Sequence, residues 1–449
     1  MKETVDLLVL DAAEVVTVAP DRPVFAPPAG SATDTARTAR RPRSAAPPLL
    51  GAAMDDAGVL LAAAIAVRDG RIVAVDEQSA LLSRFESAAT VSARGGVVAP
   101  GFCDAHTHPV FDVTREREFD LRCRGRSYEE ITAAGGGIFS SVSTLRGAGR
   151  ARLAEKLATR LRTLLACGTT SIEAKSGYGL SLESELLSLE LLAEADAAGP
   201  VDIDPTCLAA HQVPPEFQQD RQAYVRLVAE TILPEAARRG LARSADVFCD
   251  RGAFTVDESR VVLEAARAAG LERRVHADEL APVGAAELAA ECGAQTADHL
   301  VHVSDAGLAA LQRAGTAPVL LPGTCFSLRT RATAPARRMI EAGLPLVIAS
   351  DFNPGTSHIP SMPAIVALAC SLLGLTVAEA IVAATRNAAA TLGLPGPRGL
   401  LAPGAIADLV VLDLPSHLFL GYQLGPDPVV AVIKDGRLAY LRGQPRFPA

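Results

Sequence analysis

The stretch "GFCDAHTHPVFDVTRERE", Gly101 to Glu118, carries two histidines one residue apart. On a β-strand, residues i and i+2 share a face, so His106 and His108 can aim both imidazoles into one cavity. Taken alone, the pair reads better as a polar strand end with two surface histidines. Other residues of the same chemical kind follow short apolar runs further along: His211, His276, His299 and Asp351. Three imidazoles and a carboxylate, His106, His108, His276 and Asp351, would make a borderline-hard site suited to Zn2+ or Fe2+ with a position left for water. Such a site brings the pKa of bound water to about 7. Glu279 lies three residues beyond His276 in "VHADEL", placed to take the water's proton and hand it to a leaving nitrogen. By itself it also fits a helix N-terminal carboxylate favoured by the dipole. His299 would orient the nucleophile or polarise a carbonyl. His302, His358 and His417 fall outside this set.

These residues need a scaffold that gathers strand ends. From about residue 98 the sequence alternates short apolar strands with long Ala/Leu-rich helical stretches such as "ARLAEKLATRLRTLLACG" and "SLESELLSLELLAEADAAG". The candidate strands are "APGFCDAH", "TTSIEAKSG", "DPTCLAAH", "ADVFCD", "RRVHAD", "TADHLV", "PVLLPG" and "PLVIASD". Eight βα units over this length predict an α/β fold, a TIM-type (β/α)8 barrel over 98–399, with its chemistry where the strands end. Residues 1–97 and 400–449 read as short strands with turns between them, including two "DGR" hairpin turns, and predict a small β-sandwich domain built from both termini. Between Pro20 and Asp56 the sequence is rich in Pro, Ala, Arg and Ser without periodicity, and residues 20–56 are expected to form a mobile insertion in a hairpin.

The chain has 449 residues and a formal net charge of −8, with no long Lys/Arg run, so nucleic acid is not an expected partner. The eight cysteines are scattered without a C-x-x-C pair, which fits a reducing compartment. The N-terminus does not read as a signal peptide, and the longest apolar stretch, Val59 to Val67, is too short to span a bilayer. The expectation is a cytoplasmic enzyme acting on a small molecule, with no membrane partner.

Lys175 in "EAKSGYGL" raises the question of a second metal, because a carboxylated lysine can bridge two ions in some barrel hydrolases. The strand count places it on strand two, whereas the bridging lysine of binuclear enzymes comes from strand four. Here strand four ends "VFCD" and carries no lysine. One metal ion per chain is expected.

The chain resembles the amidohydrolase superfamily through "PGFCDAHTH". Within it, the chain is similar to the imidazolonepropionase family through "LRCRGRSYEEI", "GGGIFSSV", "EAKSGYGLSLESE", "AHQVPPEF", "HADEL" and "SDFNPGTS", together and in order. The resemblance implies a metal held by His106, His108, His276 and Asp351, and a substrate pocket using Arg115, Tyr178, His211, Glu279, Asn353, Gly355 and Thr356. It also implies a catalytic set of Glu279, His299 and Asp351. The implied reaction is hydrolysis of 4-imidazolone-5-propanoate to N-formimidoyl-L-glutamate in histidine degradation, by a homodimer. The residues agree with such a substrate: a flat ring amide with a propionate tail needs an activated water, an acid/base and a cation, and Arg115 can fork onto a carboxylate. Outside the family match, Arg115 in "TRERE" reads as a surface arginine. The insertion departs from the family pattern, as do Asp112 and Val113, where small residues commonly precede the arginine. Two rival readings are a related deaminase acting on a formimino compound or purine base, and a non-catalytic protein on the same barrel. The second would normally have lost ligands, and none is missing.

Overall fold

The computed structural model describes residues 2–20, 46–126, 130 and 135–443. Within these, eight parallel strands form one sheet in sequence order: β1 (Phe102–Thr107), β2 (Thr169–Lys175), β3 (Asp202–Ala210), β4 (Ser244–Cys249), β5 (Glu272–Ala277), β6 (Thr296–His299), β7 (Ala317–Leu320) and β8 (Val347–Ile348). Each of the eight candidate strands is found. The ring closes where Thr107 bridges Phe352 in the parallel sense and the His108 N–H donates to the Phe352 carbonyl at 2.8 Å. This is the expected (β/α)8 barrel.

The helices follow the apolar spacing of the sequence. In Arg150–Ala166, Leu153, Leu157, Leu161 and Leu164 recur every three or four residues and are all buried. Val256–Ala268 begins with a capping box, in which Thr255 accepts from the Glu258 N–H while the Glu258 side chain accepts from the Thr255 N–H. The barrel interior is unusual in being charged: Asp104, Glu173, Lys175, Asp246, Arg274 and Asp298 are all buried. Barrels of this kind more often fill that space with branched aliphatic side chains.

By spatial proximity the described residues fall into two compact units, Met1–Cys103 with Leu164–Ser171 and Ser361–Ala449, and Asp104–Thr163 with Ile172–Pro360. Among the described residues the first contains a two-stranded sheet, Glu3–Thr4 with Phe85–Glu86, and two larger sheets, of which the six-stranded one draws on both termini. One has six strands in the order 437–441, 429–434, 409–412, 97–100, 14–16 and 59–61, and the other has four in the order 71–77, 63–68, 7–10 and 90–92. The two "DGR" turns meet through one residue. The Ala407 N–H donates to Gly70 O and Ala407 O accepts from the Gly436 N–H, both at 2.9 Å. Positive φ at Asp69 and Gly70, and again at Asp435 and Gly436, suits the primed hairpin turns that the sequence predicts.

Of the expected insertion, residues 21–45 lie outside the described residues. Residues 46–56 make defined contacts. Met54 is fully buried in the short helix Gly51–Asp55, and the Asn387 side chain both accepts from the Leu49 N–H at 2.8 Å and donates to Leu49 O at 3.0 Å. Arg386 donates to Pro47 O at 2.8 Å. Backbone hydrogen bonds, rather than an apolar stripe, hold the segment. Among the described residues no helix is long and apolar enough to cross a membrane, and no disulfide forms among the cysteines.

Candidate active site

His106 and His108 stand at the end of β1 and His276 near the end of β5, all buried, and their ligand atoms lie within 4.8 Å of one another. His106 Nε2 is 3.2 Å from His108 Nε2, and Asp351 Oδ1 approaches the two at 3.7 and 3.4 Å. Four donors of the kind that divalent ions prefer thus converge in a buried space, and the residues fit a metal. Each of two imidazoles has a carboxylate behind it. Asp298 Oδ2 lies 2.6 Å from His106 Nδ1, and Asp246 Oδ2 lies 3.0 Å from His276 Nδ1. Such partners fix the ring tautomer and leave the other nitrogen for a ligand.

Asp351 follows β8 with φ 50°, and His299 ends β6 with φ 73°. A non-glycine residue in the left-handed region costs about 1–2 kcal/mol, so the fold holds both side chains at some expense. The Thr324 hydroxyl donates to Asp351 Oδ2 at 2.5 Å. Burial would raise the Asp351 carboxyl, but hydrogen bonding to His108 and the surrounding imidazoles hold it well below the usual carboxylate range. Glu279 goes the other way: burial first, then the Asp351 charge, push its carboxyl up to about 8. Its Oε2 is 3.6 Å from His299 Nε2, and burial pushes His299 down to about 3, so that imidazole is neutral at physiological pH. Asp351 is thus held as the carboxylate, while the Glu279 carboxyl is brought near neutral pH, where it can take up a proton and give it back.

These groups open onto a cavity of about 420 Å³. Its lining includes His108, Arg115, Tyr178, His211, His276, Glu279, His299, Asp351, Asn353 and Thr356. Of the expected site residues, only His106 and Gly355 are absent from the wall. The His211 ring packs against His108 with centroids 5.4 Å apart, and its Nδ1 lies 2.9 Å from Gly177 O, which leaves Nε2 as an acceptor. Tyr178 is held on its loop by Glu185, a buried carboxylate that accepts from the N–H groups of Gly177, Gly179 and Leu180. The Asn353 amide organises its own loop, donating to Asp351 O and Thr356 Oγ1 while accepting from the N–H groups of Gly355 and Thr356.

Residues 97–439 match the amidohydrolase family. An imidazolonepropionase of Symbiobacterium thermophilum is 47% identical over 403 residues, covering 89% of this chain and 95% of the relative. That of Myxococcus xanthus is 43% identical over 439 residues, covering 97% and 98%. This chain belongs to the imidazolonepropionase family of amidohydrolases. Amidohydrolases are metal-dependent hydrolases, and the triad His106, His108 and His276 could hold a metal. Solved structures share the fold at lower identity. An adenosine deaminase of Xanthomonas campestris with bound zinc has a TM-score of 0.65 at 19% identity, covering 98% of this chain and 94% of that one. A 5-methylcytosine deaminase of Klebsiella pneumoniae has a TM-score of 0.67 at 17% identity, covering 86% and 96%.

As an imidazolonepropionase-family chain, it has wall residues that the sequence reading did not single out. Gln212, Phe248, Arg251, His302 and Thr330 also line the cavity, so His302, left outside the set by the sequence, lies in its wall. Asp246 and Asp298 were missed too. Their signal was a carboxylate inside an otherwise apolar strand, in "ADVFCD" and "TADHLV". Asp112, a departure from the family pattern, pairs with Arg152 at 2.6 Å and Lys156 at 3.0 Å and ties down the loop that leads to Arg115.

Proposed function

We propose that the chain hydrolyses 4-imidazolone-5-propanoate to N-formimidoyl-L-glutamate, using one divalent ion, Zn2+ or Fe2+, per chain at His106, His108, His276 and Asp351. When bound, the ion supplies Lewis acidity, yielding a nucleophile from water at neutral pH and polarising the ring carbonyl. Water adds across the ring amide: the carbonyl carbon gains the hydroxyl, the carbon–nitrogen bond breaks, and the nitrogen leaves with the proton. Glu279 carries that proton from water to nitrogen. His299, neutral and 3.6 Å from Glu279, stabilises the carbonyl oxygen as charge grows on it. Arg115 binds the propionate carboxylate, and Tyr178, His211 and Thr356 hold the ring. Asn353 and Gly355 shape the loop that presents them.

The observation that carries this reading is the presence, in one cavity, of the donor cluster, the raised carboxyl of Glu279 and the Arg115 cation. The resemblance further supports a homodimer, and the cysteine usage supports the cytoplasm. The division into a 98–399 barrel and a small domain of 1–97 and 400–449 belongs to the same proposal. Purified protein of measured metal content, given 4-imidazolone-5-propanoate, should open the ring at about one bound ion per chain. Full activity at two ions per chain would contradict the mononuclear site, and light scattering at the mass of a single chain would contradict the dimer.

A further inference from the structure

Lys175 ends β2 with its side chain fully buried in the barrel interior. Its Nζ is 2.8 Å from Glu173 Oε1, 2.8 Å from Asp246 Oδ2 and 3.9 Å from Asp298 Oδ2. The last two are the oxygens behind the histidines: Asp246 Oδ2 is 3.0 Å from His276 Nδ1 and Asp298 Oδ2 is 2.6 Å from His106 Nδ1. One ammonium therefore faces both carboxylates that orient the imidazoles. A lone charge buried at this depth is costly unless it is paired, and three carboxylates share it.

We propose that Lys175 is a positioning residue for the metal site, fixing Asp246 and Asp298 so that His276 and His106 each present the other ring nitrogen to the ion. The inference rests on the metal reading above. It also gives Lys175 a role without a second ion, since its nitrogen is already engaged by carboxylates. Lysine suits the place because a compact ammonium with three donors can face several carboxylates at once. Removing outer partners of this kind typically lowers metal affinity about 10–100-fold.

The test is a double-mutant cycle read as Zn2+ affinity by chelator competition, with the visible absorption of the Co2+-loaded protein as a second readout. Lys175→Met and Asp246→Asn should each weaken Zn2+ binding by about 10–100-fold. The double variant should lose less than the product of the two single losses, because part of the lysine's effect runs through that carboxylate and the rest through Asp298. Lys175→Met should also alter the Co2+ spectrum, which a purely structural role would leave unchanged. Wild-type affinity in Lys175→Met, or losses that multiply in the double variant, would overturn the proposal. If Lys175→Met does not fold, the double variant removes one charge of each sign and is compared directly with Asp246→Asn. An affinity equal to that of Asp246→Asn or up to about tenfold below it, the share that Asp298 carries, would support the proposal, and a further loss of about 100-fold or more would overturn it. Wild-type protein that takes up no ion would overturn the metal reading itself, and this inference with it.

Discussion

The Arg115 guanidinium occupies the space that a side chain at Gly355 would fill. A Cβ built on Gly355 would fall 1.8 Å from Arg115 Nη2 and 2.1 Å from its central carbon. The Arg115 N–H also donates to Pro354 O at 2.8 Å, and Arg122 donates to Gly355 O at 3.0 Å, so the loop after β8 and the loop after β1 are joined at this point. The family resemblance places Gly355 in the substrate pocket. Its closer role is to let the arginine through. Gly355→Ala should therefore mimic Arg115→Ala, each raising KM about 10- to 100-fold, the scale of a lost charge-assisted hydrogen bond, with a smaller loss in kcat. Steady-state kinetics checks this against an analogue without the carboxylate, which wild type should handle poorly and both variants no worse. Equal damage on both compounds would mean that Arg115 does not hold the propionate.

Glu279→Gln should keep fold and metal but lose about 10²–10⁴ in kcat, because the amide cannot carry a proton. Metal content and the melting curve of the variant separate this from collapse of the site. A loss of less than about tenfold would assign the proton to another group.

Asp112 makes a prediction about pH and stability. Burial would raise its carboxyl, but hydrogen bonds from Arg152 and Lys156 win and hold it below the usual range. A carboxylate with a depressed folded-state pKa stabilises the fold above its unfolded value of about 3.9, and the contribution fades as pH falls through the folded value. Asp112→Asn should thus be less stable than wild type at pH 7, by under about 1 kcal/mol given the exposed Arg152. In urea titrations the difference should shrink below about pH 4. A difference that persists unchanged into acid would point to packing instead.

Asn387→Ala should leave Leu49 N–H and C=O without their partner and cost about 1–3 kcal/mol in stability with kcat unchanged. Equilibrium denaturation alongside an activity assay checks both parts. Deletion of 21–45 alone should likewise spare kcat, whereas a deletion extending through Met54 should destabilise the protein.

The barrel was legible because its strands are short apolar runs, most of them followed by a His or Asp, and helices between them such as Arg150–Ala166 repeat leucine every three or four residues. His106, His108, His276 and Asp351 were legible for the same reason: strand ends of this fold converge. What could not be read was the interior layer. Asp246 and Asp298 are lone carboxylates within strands and Lys175 ends another, and only closure of the ring shows that they face one another. The contacts of residues 46–56 with Arg386 and Asn387 run through backbone groups, which carry no sequence signature. His302 reached the cavity wall by the turn after β6, where positive φ at His299 and Leu300 redirects the chain.

The most direct test of the account is hydrolysis of 4-imidazolone-5-propanoate by the metal-assayed protein in H₂¹⁸O, followed by mass spectrometry. The account predicts N-formimidoyl-L-glutamate with one heavy oxygen in the newly formed carboxylate and no ammonia released in step with turnover. Stoichiometric ammonia, or an unreacted ring with the ion in place, would contradict it.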